Sequence, residues 1–125
     1  MTTKDLLNNS TVKELVASAA ITTGSNTGSS VDLEGVGRKI LVIINTGDVG
    51  TGGTLDVEIH ESDDDFSADD DTLKTFSQID STGVVVGDVA PNKRYIQASY
   101  TVGTDTVNCA VIGIIYLERE APSGL

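Results

Sequence analysis

The chain has 125 residues, enough for one domain around a single core. Its formal charge of −11 argues against a nucleic-acid partner, because neutralising phosphates takes clustered Lys and Arg and the eight present are scattered. A single cysteine leaves no pair for an internal disulfide, and three Tyr, two Phe and no Trp are thin for a glycan platform or a base-stacking surface.

In chain order, residues 1–12 read as a short N-terminal arm or helix. Thr3 is placed to cap a turn through Leu7, with Asp5 near its positive end. Leu6, Leu7 and Val12 are the apolar residues of this arm, which is too short to build a core and is expected to order on docking. The start lacks the apolar stretch of about 7–15 residues that marks a secretory signal. No segment reaches the ~18 apolar residues of a membrane span. The expectation is a chain made in the cytoplasm, not exported, with no membrane partner.

Residues 13–21 carry both signals. The alanines favour helix, but Ile21-Thr22-Thr23 before Gly24 favours a strand and turn, and a strand is predicted. A polar Gly/Ser/Asn loop follows at 25–30, then a short extended piece, Val31-Asp32-Leu33.

The clearest change of rhythm lies between 39 and 61. Residues 39–44, Lys-Ile-Leu-Val-Ile-Ile, form a continuous apolar run, as in a strand buried on both faces. Leu55, Val57 and Ile59 then alternate with Asp56, Glu58 and His60, as in a strand with one wet face. The glycine-rich residues 47–53 between them predict a hairpin connection.

An acidic loop at 63–71 holds six aspartates interrupted by Phe66. Leu73, Phe76 and Ile79 alternate imperfectly, predicting an irregular edge strand, and Val84-Val85-Val86 predicts a short one. Pro91-Asn92-Lys93 is a turn. Over 94–102, Ile96, Ala98, Tyr100 and Val102 share one face; a tight turn at 103–105 leads to the last strand, 106–117. There Val107, Cys109, Val111, Ile115 and Leu117 are placed on one side and Ile112, Ile114 and Tyr116 on the other, so its second half is apolar on both. Such a strand is central or lies in an interface, and Ile112, Ile114 and Tyr116 are expected to be covered by a second sheet or a neighbouring subunit.

Together these elements predict an all-β protein, an antiparallel β-sandwich that is jelly-roll-like or immunoglobulin-like. Its parts are the arm at 1–12, the sandwich at 13–118 and a polar C-terminal tail at 119–125.

No residue set has the spacing of an active site. His60 shares the wet face of its strand with Asp56 and Glu58, and a metal there would need ligands from a neighbouring strand. A solvated histidine is the simpler reading. Cys109 has no basic neighbour in sequence to activate it and reads as a small core residue. Asp63, Asp65, Ser67 and Asp69 alternate like calcium ligands. However, position six lacks glycine and position twelve is Lys74, so this is no EF-hand but a solvated loop, with a shallow cation site as the alternative. Residues 47–53 lack the Gly-Lys-Ser/Thr of a phosphate loop. No cofactor, catalytic residue or metal ligand is expected.

The order of Val-Asp-Leu-Glu-Gly (31–35), Ile-Leu-Val-Ile-Ile-Asn-Thr-Gly (40–47), Gly-Gly-Thr-Leu-Asp-Val-Glu-Ile-His-Glu-Ser-Asp-Asp (52–64), Lys-Arg-Tyr-Ile-Gln-Ala-Ser-Tyr-Thr-Val (93–102) and a final apolar strand resembles small decoration, or cement, proteins of tailed bacteriophages. The resemblance implies a structural virion protein that binds the outside of an assembled head. Its partners would be the major capsid protein and its own copies, most plausibly as a homotrimer, after synthesis in the bacterial host cytoplasm. Similar chains often carry Gly after the Asp-Asp pair, where this one has Asp65. The alternatives are a tail or neck component and a carbohydrate-binding adsorption module. An acidic protein without basic patches suits the outer surface of a shell better than a DNA-facing interior.

Overall fold

The computed structural model describes residues 10–34 and 38–117, and every regular element among them is a β-strand. The strands are β1 (Ser10–Ile21), β2 (Gly24–Thr27), β3 (Val31–Asp32), β4 (Arg38–Val49), β5 (Thr54–Ser62), β6 (Asp71–Thr75), β7 (Gly83–Val89), β8 (Tyr95–Gly103) and β9 (Val107–Leu117). A four-stranded sheet has the order β1-β9-β4-β7; the second runs β2-β8-β5-β6, with β3 also paired to β8.

All pairings are antiparallel; β4 with β9 and β5 with β8 complete the two sheets, and the remaining pairs are nested. The innermost pair is β5 with β6. Around it β4 pairs with β7, then β2 and β3 with β8, and outermost β1 with β9. One long hairpin rolled over itself gives this pattern, the jelly roll. Nesting decides between the two sandwich types that the sequence leaves open.

The core lies between the sheets. From the first sheet come Leu15, Ile40, Val42, Ile44, Val107 and Val111; from the second, Leu55, Val57, Ile59, Ile96, Ala98 and Val102, all essentially without solvent contact. The period-two alternation of β5 and β8 places these residues inward. On β1 a register shift between Glu14 and Val16 breaks the alternation. Leu15 and Val16 are consequently both buried, which is what an extra residue in one strand allows. Residues 13–21 are strand despite their alanines, because pairing with β9 along the whole stretch outweighs a small helix preference.

Several expectations are corrected. Residues 47–53 do not close a hairpin, because β4 and β5 lie in different sheets. Glycine-rich composition permits a reversal but does not say which sheet the chain joins. Here the chain arches across, and the Gly50 amide donates to Thr106 O at 2.8 Å in the equally inter-sheet turn between β8 and β9. Residues 10–12, assigned to the arm, belong to β1: Ser10, Thr11 and Val12 pair with Tyr116, Ile115 and Ile114. The helical turn placed on residues 3–7 lies outside the described residues.

Thr46 points inward from β4 opposite Cys109, 1% exposed, and its hydroxyl has no hydrogen-bond partner among the described residues. Valine has nearly the same shape without the stranded hydroxyl. Thr46→Val is therefore expected to stabilise the fold by about 1 kcal/mol, raising the melting temperature by roughly 3–5 °C. A lower melting temperature would show that the hydroxyl is bonded.

Candidate functional site: two unlike outer faces

The outer face of the second sheet is polar. On β5 it presents Asp56, Glu58 and His60, opposite Thr101, Ser99 and Gln97 of β8. Gln78 donates to Asp56, and Thr75 to Glu58. Polar side chains bonded to one another in this way form a face that can stand in water.

The acidic loop extends from this sheet, between β5 and β6, and it is built rather than loose. Ser62 is fully buried; its Oγ donates to Asp64 and accepts from the amides of Asp64 and Phe66. The Asp64 carboxylate accepts from the amides of Asp69 and Ala68, and these bonds hold it below its ordinary pKa. Lys93 donates to both oxygens of Asp69, at 2.9 and 2.7 Å, and to Asp71. Lys93 is held above its ordinary pKa by those carboxylates, and Asp69 below its own by the ammonium. Asp65 and Phe66 both take left-handed backbone, with φ of 56° and 63°. Glycine adopts this conformation more readily than either residue.

His60 is half-buried between Asp70, which meets Nδ1, and Glu58 Oε1, 3.0 Å from Nε2. The sequence places it rightly on the wet face but misses Asp70, ten residues away and brought in by the loop. Burial disfavours its charged form; the hydrogen bonds from Asp70 and Glu58 outweigh that and raise its pKa above the ordinary 6.5. A raised folded-state value means the stabilisation is complete below pH 6.5 and fades as pH climbs through the folded pKa. Amide protection in residues 63–71, taken relative to the intrinsic base-catalysed exchange rate, is thus expected to fall above that point, and His60→Gln to flatten the dependence. A His60 titration midpoint below 6.5 by NMR would contradict this. A further clamp, Arg94 on Asp32, joins β3 to the start of β8 through two bonds of 2.7 Å, and lowers the Asp32 pKa to about 2.

The carboxylates of Asp64, Asp69, Asp70 and Asp71 are turned to amides, Lys93 and His60. Among the described residues no three of His, Cys, Asp and Glu are grouped to hold a metal ion. Cys109 faces the core, where burial pushes its thiol pKa up.

The outer face of the first sheet is the opposite of the second. Residues facing each other across antiparallel ladders share a face. One row reads Val12, Ile114, Leu41, Asp88 and the next Glu14, Ile112, Ile43, Val86, each from β1 through β9 and β4 to β7. A third row holds Ala110, Asn45 and Val84, and at the other end Tyr116 lies between Ser10 and Lys39. Val12, Val84 and Val86 are 66%, 61% and 55% exposed, the large exposed apolar side chains of the described chain.

This arrangement brings Val12, Ile112, Ile114 and Tyr116 onto one outer face. Leu6 and Leu7 lie outside the described residues. The second sheet does not cover the apolar side of β9, because it packs on the other side. Sequence reasoning missed Leu41, Ile43, Val84 and Val86. The signal was present: the run at 39–44 reads as buried on both faces, but one of those faces is the outside of the molecule.

No family model matches the chain, and no curated protein matches it in sequence. Among solved structures, a chain of infectious bursal disease virus, Gx strain, superposes with a TM-score of 0.55 over 90% of this chain at 8% identity. The likeness is one of fold. This chain spans about a third of its neighbour, 32%. A chain from the Gt strain covers 93% of this one and is covered to 35%, with a TM-score of 0.47 and 10% identity.

Proposed function

We propose that the protein is a structural, non-catalytic component of a virion, a decoration protein that binds the outer surface of a bacteriophage capsid and stabilises it. The observation that carries this reading is the asymmetry of the sandwich. One sheet shows a polar face and a braced acidic loop, and the other an apolar face. A jelly roll like that of a virus chain is a fitting scaffold, since such sandwiches recur in viral shells. The chain offers no convergent catalytic groups among its described residues, and its acid suits an outward-facing surface.

A homotrimer is the proposed assembly. The four-strand face measures roughly 19 Å by 24 Å from standard strand spacings, or about 450 Å² per copy, against the ~800 Å² per partner of a standard interface. Three linked copies turn a weak single contact into a firm one. Leu6 and Leu7 of the arm are proposed to add to the attachment. The test is to add purified protein to heads of its virus assembled without it. Saturable binding and a raised head-disruption temperature are expected. Heads that bind none of it, or bind it with unchanged stability, would refute the reading.

A further inference from the structure

The geometry points to a specific kind of partner for the apolar face: a protein surface with an apolar ridge flanked by Lys or Arg. This deepens the decoration reading and rests on it for the partner's source. The two central strands, β9 and β4, present Ile112, Ile114, Ile43 and Leu41 to the outside, with Lys39 at one end beside Tyr116, and the acids stand on the edge strands, Glu14 on β1 and Asp88 on β7. An apolar centre with a polar rim is the anatomy of a protein interface, and here the flanking strands carry acid on both sides.

That rim selects among occupants. Stacked sheets align their strands to within about 30°. If two copies met through this face about a two-fold axis, β1 would lie over its counterpart or over the other copy's β7. Either way one acid-bearing edge strand overlies another, and each copy brings a formal charge of −11. An anionic lipid surface is repelled for the same reason. Basic flanks on the partner complement both edges at once, steering the encounter and fixing its register.

The probe is a strand-length peptide with Leu at the centre and Lys at both ends of one face and Ser along the other, with a Leu/Glu peptide of the same pattern as its counterpart. In methyl NMR titrations of the full chain, the Leu/Lys peptide is expected to shift Ile43, Ile112 and Ile114 and leave Ile59 in place. The Leu/Glu peptide should shift none of them. Ile43→Ser should weaken binding at least tenfold; so should the double variant Glu14→Lys, Asp88→Lys, with the deficit shrinking at high salt. Unchanged circular dichroism confirms that both variants fold. The inference is overturned if the shifts map to the acidic loop, if the charge-reversed variant binds as well as the parent, or if sedimentation shows a dimer that Ile43→Ser abolishes. The same variants on undecorated heads separate the two readings. Parent protein that ignores heads but takes the Leu/Lys peptide on this face refutes decoration alone, whereas head binding indifferent to the variants refutes this face.

Discussion

Alanine at position 44 is expected to cost about 2–5 kcal/mol, the usual toll for emptying a fully buried isoleucine site. Serine at the adjacent position 43 should cost no more than about 1 kcal/mol, because a strand's outward position contributes chiefly through its neighbours on that face. Ile44 is without solvent contact between the sheets, and Ile43 points the other way, opposite Ile112 and Val86. Against a total stability of about 5–15 kcal/mol for a domain of this kind, the first change threatens folding and the second spares it. Urea unfolding of the two variants measures both. Equal losses would mean that the outer face is packed against something within the same molecule, which would remove the docking surface.

Gly28→Ala is the second large effect. A β-carbon built there lies 1.9 Å from the carbonyl oxygen of Leu15. Neither side can easily yield. That same carbonyl accepts from the Ser29 amide at 3.1 Å, and the Gly28 amide donates to Ala98 O at 2.8 Å. The contact sits where the link from β2 to β3 crosses the bulge of β1, so relief would have to move backbone in both sheets. A loss of about 3 kcal/mol is expected, at the upper end of the usual overpacking range. Gly47→Ala provides the control, since its added carbon would meet Asn108 Cβ at an ordinary 3.4 Å. Similar melting temperatures for the two variants would contradict the close approach.

Fold class was legible because alternation is a local property. Leu55 to Ile59 and Ile96 to Val102 announce their inward faces without reference to any partner, and the structure buries those residues as expected. Connectivity was less legible. Nothing in Gly47 to Gly53 distinguishes a hairpin from an arch between sheets; that depends on which sheet has room for β5, a property of the whole nested roll. The candidate site was legible in half. Ile112, Ile114 and Tyr116 stand out because their strand is apolar on both sides. Ile43 and Val86 join them only once the order β9-β4-β7 is known. The clamp on the acidic loop was hidden for a similar reason. Lys93 lies 24 residues from Asp69, and only the return of the chain into β8 brings them together.

The central proposal is that the apolar face of the β1-β9-β4-β7 sheet is the attached side of the molecule. Imaging the intact virion at residue resolution tests it most directly. The expected result places Ile43, Ile112 and Ile114 against a basic-flanked apolar surface of the capsid protein, with Asp56, Glu58 and residues 63–71 in solvent. An image with the polar sheet against the shell and Ile43, Ile112 and Ile114 facing water would contradict it.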